Sequence, residues 1–585
     1  MTKKIIEILT IMMLSCSIFS VSVIGANNFN KSEDQTIQLL KSNQNMVFLD
    51  LPSSFDLRNV DGENFVSGVR RQKGGTCWCH AVYASMESNL LITDNWATAG
   101  EDGEPNLAEY HMDWWNGFNT FHNDDYPDNP GGVIVHEGGD YLMASAYLIR
   151  GEGAVRQCDG QSYSTPPERY NSSYHYYYPR DIEWYGNGSG SDLGNIDIIK
   201  SKLMANGAIA TCMVYYPPLY YNRTLNSHYF PPWKPGIPNH AIAIIGWDDD
   251  KITQAPEGPG AWLVKDSQGE LVGEDGFYWI SYYDKHCAKH KLLGAASFQN
   301  IELLSYDNIY YHDYHGWRDT LEGCSEAFNA FVASDWELLT SVSFFTSVHN
   351  VSYAVKIYDQ FEDGELQDEL SSQMGIIEFR GFHTVDLETP VRLVPNQDFY
   401  VYVSISNGGQ AFDRTSHTTE LGETADTRYP YDYIESIANP NESFYRNDST
   451  WYDLYDYGFL EDEEWNHSAN FCIKALTIKR TSPELSIESI SGGLGVNAII
   501  KNCGDVDVEN IEWTMTASGG LLGFVYEEIN GTISEFEINQ KVEVNLKPFF
   551  GLGPITIEVE ASIAGAITFT EKVEGKLIFC FVAVS

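Results

Sequence analysis

The sequence predicts an α+β region followed by two β-rich regions, and three observations carry that prediction. Apolar residues fall at helical spacing in several segments between residues 77 and 207. Short apolar runs bounded by turn residues, such as AIAIIGW and GAWLVKD, alternate with them and read as strands. Beyond residue 300 the helical spacing gives way to short alternating segments separated by turn signals.

Taken in order, residues 1–26 read as an export signal. Lys3 and Lys4 give the positive end, Ile8 to Ile24 the apolar run, and Ile24-Gly25-Ala26 a small-residue cleavage site. An uncleaved anchor is the alternative, because the run is near the lower length limit for spanning a bilayer. Residues 27–50 are polar, then mixed, and read as a linker or short pro-segment.

Residues 51–300 form the α+β region. The segment AVYASMESNLLI follows Cys77 with helical spacing, which places Cys77 near a helix N-terminus. NLAEYHMDWWNGF and YLMASAYLIRG read as helices, and IDIIKSKLMANG as an amphipathic helix ended by Gly207. AIATCMVYY, AIAIIGW, GAWLVKD and FYWISYY read as strands. Residues 301–480 carry a β-sandwich pattern in VSFFTSV, YAVKIYD, GFHTVDL and FYVYVSIS. TSPE at 481–484 reads as a linker. Residues 481–585 read as a small β domain, immunoglobulin-like in architecture, with KLIFCFVAVS as its last strand.

The chain has 585 residues, is 43% hydrophobic and 14% aromatic, and carries a formal net charge of −46. Such a composition builds large cores. A surface this acidic repels phosphate backbones, which argues against nucleic acid as a partner. Ten cysteines are present. Removing Cys16 with the signal leaves an odd number, so at least one thiol is unpaired or intermolecular. The spacings suggest neither a dense disulfide framework nor a zinc ribbon. They leave open which of Cys158, Cys212, Cys287 and Cys324 pair. Cys79, two residues past Cys77, faces another way on a helix and reads as a buried structural residue.

Three strings carry the chemistry. QKGGTCWCHA holds Cys77, PNHAIAIIGWDDD holds His240, and GAWLVKDSQG holds Asp266. A thiol alone is mostly protonated at neutral pH, and a neighbouring imidazolium stabilises the reactive thiolate. GTCW, NHAIAIIGWDDD and the KDSQG–GFYWISYYD tract resemble the papain family of cysteine peptidases. LPSSFDLRN at 51–59 looks like a mature N-terminus of such enzymes, and the match is nearest to prokaryotic members with a following lectin-like domain. GFHTVDLETPVRLVPNQDFYVYVSI is similar to that domain.

The resemblance implies a two-lobed fold with a cleft between a helical lobe and a sheet lobe. It implies Cys77 as nucleophile, His240 as acid and base, and Gln72 as an oxyanion-hole donor. Gly138 and Gly139 in HEGGDY resemble the glycine pair along which substrate backbone lies. The chain departs from the family in the loop before Cys77, where Gln72 stands one residue nearer than usual and a further cysteine is absent, and at two places near His240. Asp266 stands where the family has Asn, and a carboxylate there orients and stabilises the imidazolium. Gln268 replaces a shielding Trp, which predicts that water reaches the His240–Asp266 pair and weakens it. Trp247 reads as core, Asp248-Asp249-Asp250 as a solvated turn, and His312 and His315 as a domain-junction tract without a completed metal site.

The expectation is therefore an exported cysteine endopeptidase that needs no cofactor and acts on protein or peptide substrates. Carbohydrate is a possible second partner of the β-sandwich, and cell-surface association is possible. The alternative is a catalytically inactive surface protein of the same fold, acting in adhesion or glycan binding. A third reading, weaker, is an acyl transferase on the same machinery.

Overall fold

The computed structural model describes residues 51–584 apart from 129, 188–191, 217, 418–420, 422–432, 460–464, 480–483, 505 and 564–566. The expected export signal and pro-segment, and most of the TSPE linker, lie outside the described residues.

Helix Cys77–Ile92 is the central element of the N-terminal region. Thirteen of its sixteen residues are buried, so it behaves as an interior helix, covered on nearly every side. Its polar side chains are used rather than stranded. Ser85 Oγ accepts from Phe298 N, and Asn89 both accepts from Ile301 N and donates to the Asn206 carbonyl. Glu87 accepts from Arg70 Nη1 at 2.6 Å and from the Ser67 hydroxyl. Ser67 in turn accepts from Lys265 Nζ at 2.9 Å, which ties this helix to strand Ala261–Lys265. Helices Glu109–Trp115, Tyr141–Ile149 and Ile196–Asn206 appear where the spacing predicts them. The last ends at Gly207, whose φ of +94° suits a residue without Cβ.

One large sheet runs through both the N-terminal region and the next. Part of its order is Ile473–Lys479, Glu337–Thr346, Gly381–Leu393, Tyr177–Trp184, Ala296–Leu303, Ile209–Met213, His240–Asp248, Ala261–Lys265 and Phe277–Ser281. The seam between regions is the antiparallel pairing of Gly381, Phe382 and His383 with Glu183, Ile182 and Asp181. At Gly381, φ is +149°, and a Cβ would stand 1.9 Å from the Ile182 carbonyl oxygen, so only glycine lets the strands meet. Ile182, Phe345 and Phe382 bury their side chains in the same core as Cys77 and Trp78.

A six-stranded sheet, which includes Glu326–Val332, Val351–Glu362 and Asp398–Ile405, shares a second core with the far end of the large sheet. This is the sandwich expected of residues 301–480. The C-terminal region is a seven-stranded antiparallel sheet with its own core, and KLIFCFVAVS forms parts of its last two strands. None of the nine cysteines of the described residues is in a disulfide, and Cys79, Cys212 and Cys287 are fully buried. No helix among the described residues is long and apolar enough to cross a membrane.

Candidate active site

Cys77 is the first residue of its helix. The free N–H groups and the helix dipole there favour a negatively charged sulfur. Thr76 does not cap the helix through its side chain; its hydroxyl donates to the Lys73 carbonyl at 3.0 Å and tightens the preceding turn.

His240 opens strand His240–Asp248, and Asp266 follows strand Ala261–Lys265 directly. The two strands are antiparallel neighbours, with Ala243 opposite Lys265, and this register brings the two side chains together. His240 Nε2 lies 2.9 Å from Asp266 Oδ1, and each residue is only 1% exposed. Two further donors hold the carboxylate: the Gln268 N–H reaches Oδ1 at 3.0 Å, and the Tyr278 hydroxyl reaches Oδ2 at 2.8 Å. Burial raises the carboxyl pKa, but His240 and these donors outweigh it and hold the group below its usual range. Burial likewise opposes the imidazolium. Asp266, and then Cys77, outweigh it and push the pKa of His240 up to about 10. Among the described residues the other ring nitrogen, Nδ1, is buried with no hydrogen-bond partner of ordinary geometry, and Cys77 is the other side chain that acts on the ring.

The predicted exposure of this pair to water is corrected by the structure. Gln268 does leave the shielding position without an indole. Tyr215 supplies a ring instead, its centroid 5.0 Å from that of His240, and Tyr278 closes the far side of Asp266. Neither tyrosine announced this role in the sequence, because each reaches the pair only through the tertiary fold.

Gln72 is mostly buried and anchored to the segment after Asp266. Its N–H donates to the Ser267 carbonyl at 2.7 Å, and its Oε1 accepts from the Ser267 hydroxyl at 2.6 Å. Its Nε2 donates to the Gly74 carbonyl at 2.9 Å, leaving one amide hydrogen for another acceptor. Gly139 packs on Trp78 so closely that a Cβ would sit 2.3 Å from the indole. Gly138 adjoins Gly75 through its backbone nitrogen, 3.1 Å from where a Cβ on Gly75 would stand. The glycine pair is thus brought up to the residues on either side of Cys77.

One residue at the site was not foreseen. Leu421 comes from the sandwich region, is fully buried, and donates its N–H to the Gly139 carbonyl at 2.6 Å. Its own carbonyl oxygen lies 3.5 Å from Cys77 Sγ. No local pattern links residues 344 positions apart.

Trp247 is fully buried and stacks on Phe55. Asp249 accepts from Lys200 Nζ and the Tyr282 hydroxyl, while Asp250 N–H turns back to Asp248, as in a surface turn. His312 stacks on Phe331. His315 is buried at the junction of the regions, where its side chain and those of Asp125 and Asp413 bring ligand-type atoms within 4.8 Å of one another. The two carboxylates lie far from His315 in sequence, so the grouping was invisible there.

A thiol at a helix N-terminus, a buried imidazole–carboxylate pair and a glycine-lined approach define a papain-like cysteine protease domain, here followed by a lectin-like domain. Residues 136–294 match the papain family cysteine protease model, and residues 309–477 match the lectin like domain model. The first match contains Gly138, Gly139, His240 and Asp266; Gln72 and Cys77 precede it. Among solved structures, the chain is similar to the clostridial cysteine protease Cwp84 after propeptide cleavage, at 22% identity and a TM-score of 0.58, over 73% of this chain and 100% of that one. It is also similar to the cysteine protease and lectin-like domains of Cwp84, a surface layer associated protein of Clostridium difficile. That match has 21% identity and a TM-score of 0.57, over 79% of this chain and 99% of the other. At such identities the likeness is one of fold.

Proposed function

We propose that this protein is an exported cysteine endopeptidase whose working residues are Cys77, His240, Asp266 and Gln72. The observation that carries the reading is the 2.9 Å contact between His240 and Asp266, buried beside a thiol at a helix N-terminus. A raised imidazole pKa means that the ring holds a proton at neutral pH and stabilises the Cys77 thiolate.

In this mechanism the thiolate attacks the scissile carbonyl. The oxyanion that forms accepts hydrogen bonds from the Cys77 N–H and the remaining amide hydrogen of Gln72. His240 gives its proton to the leaving amine, and a thioester remains on Cys77. Water then attacks the thioester while His240 takes up its proton, and the acid product leaves. Asp266 holds the ring in place and stabilises its charged form.

The export signal supports substrates outside the cell, and the surface-layer association of Cwp84 supports a similar location. The domain organisation we propose is a peptidase domain over 51–300, a lectin-like sandwich over 301–480 that offers a site for carbohydrate, and a C-terminal β domain over 481–585. The test is hydrolysis of a broad peptide library by wild type beside Cys77→Ala. It is joined by the rate of Cys77 alkylation as pH falls. A reactive ion pair keeps alkylation fast into mild acid, whereas an ordinary thiol slows steeply below pH of about 8.5. Ordinary-thiol behaviour with no hydrolysis would support the inactive adhesion reading instead.

A further inference from the structure

We propose that a cavity beside His240 receives the residues that follow the scissile bond, and that Arg223 at that cavity selects a carboxylate among them. The inference rests on the peptidase reading and adds a substrate preference to it.

The cavity has a volume of about 600 Å³, and Tyr215, Tyr216, Tyr221, Arg223, Leu271 and Tyr278 are among its lining residues. Tyr215 is the ring packed on His240, and Tyr278 is the donor to Asp266, so the cavity borders the two tyrosines that cover the imidazole–carboxylate pair. A second cavity of about 600 Å³ continues from it, sharing Tyr221 and Arg223 and adding Trp233 and Lys234.

Direction follows from two observations. Leu421 already lays a peptide backbone on Gly139 with its carbonyl beside Cys77 Sγ. That marks the glycine side as the side taken by the acyl portion of a substrate. His240 must hand its proton to the leaving amine, so the chain beyond that amine departs on the imidazole side. The cavity adjoins Tyr215, the ring packed on that imidazole.

Its chemistry is mixed in a particular way. Tyr216 and Leu271 are 55% and 94% exposed, an unusual amount of apolar surface to leave open beside a reactive site. Arg223 is exposed, with no ion pair or hydrogen bond among the described residues, and its charge acts on the neighbouring Tyr221 hydroxyl. Lys234 lies over the rings of Tyr220 and Trp233, with no carboxylate partner among the described residues. Glu274 is the acidic group on the lining; it interacts with Arg58, and it and Arg223 both act on the Tyr221 hydroxyl between them. Arg223 and Lys234 thus place two cations without described carboxylate partners along the two adjoining cavities. Together they fit a leaving peptide with a large apolar side chain first and an acidic residue next.

The experiment compares two internally quenched peptides, identical except for Glu or Lys at the second position after the scissile bond. They are cut by wild type and by Arg223→Glu. Wild type is expected to favour the Glu peptide about fivefold in kcat/KM, with the advantage shrinking at high salt. Arg223→Glu is expected to reverse the order. An equal ratio in the two proteins would overturn the proposal. Binding of the same two peptides to Cys77→Ala, followed by fluorescence polarisation, tests the cavity without chemistry. A Glu preference that Arg223→Glu abolishes supports the subsite even where no peptide is cut, and equal binding of both peptides overturns it.

Discussion

The N–H of Leu421 donates to the carbonyl of Gly139 at 2.6 Å, and this bond sets a residue of the lectin-like region beside Cys77, the proposed nucleophile. The same residue buries its side chain in the core that holds Cys77 and Trp78. A peptide lying along Gly139 meets Leu421 in its way. Leu421→Gly removes a buried side chain whose burial is worth about 1.5–3 kcal/mol. The variant should therefore bind short peptide substrates about tenfold more readily, seen as a lower KM with kcat little changed. An unchanged KM would show that Leu421 does not compete with substrate.

The charge state of His240 gives a second prediction. Its pKa is raised above the ordinary 6.5, so the stabilising effect of its protonated form is complete below 6.5 and fades as pH climbs through about 10. Asp266 is shifted downward, so its contribution is complete above its ordinary 3.8 and fades as pH falls through its depressed value. Between these limits the pair should be fully formed. Asp266→Asn keeps a hydrogen-bond acceptor but removes the charge. The basic limb of the kcat/KM profile should move down by about one to two pH units. A pH–rate curve superimposable on that of wild type would sink the assignment of Asp266 as the stabilising carboxylate.

A third prediction concerns the donors around that carboxylate. Tyr278→Phe deletes the hydroxyl that reaches Oδ2 of Asp266 and leaves the ring in place. A hydrogen bond to a charged group contributes about 1.5–3 kcal/mol to stability, so the Tm should fall by about a few degrees, and the less firmly held carboxylate should lower kcat/KM as well. Tyr215→Ala strips the ring from His240 and should admit water to the pair. Its signature is a drop in the upper pKa of the pH profile, measured beside Tyr215→Phe, which should restore the wild-type value.

These tyrosines also show where sequence reasoning runs out. Cys77, His240, Asp266 and the glycine pair stand in local strings dense enough to read, and helix Cys77–Ile92 follows from spacing alone. The absence of an indole at Gln268 was equally legible, but its consequence was not. Tyr215 and Tyr278 reach the pair from either side of it in sequence. Leu421 and the Asp125–His315–Asp413 grouping depend on chain crossings hundreds of residues long. Pattern within a segment reveals that segment's own face and period. It does not reveal which distant segment fills the space above that face.

The seam between the regions provides the last prediction. Phe382 is almost fully buried where Gly381–Leu393 pairs with Tyr177–Trp184, and it packs in the same core as the helix that carries Cys77. His383 Nδ1 adds a contact of 3.0 Å to Asp181 Oδ1 across the same seam. Two domains that share a sheet and a core should unfold together rather than one after the other. Phe382→Ala leaves a cavity in that shared core and should cost about 3–5 kcal/mol. Scanning calorimetry of the wild type should then show one transition for the protease and lectin-like regions together, and the substitution should lower it as a unit. Alkylation of Cys77 under partial denaturation should track the same transition, because the helix that Cys77 opens shares its core with the seam. Two separate transitions, with only the lectin-like one displaced by Phe382→Ala, would mean that the regions are joined by the sheet but not stabilised through it.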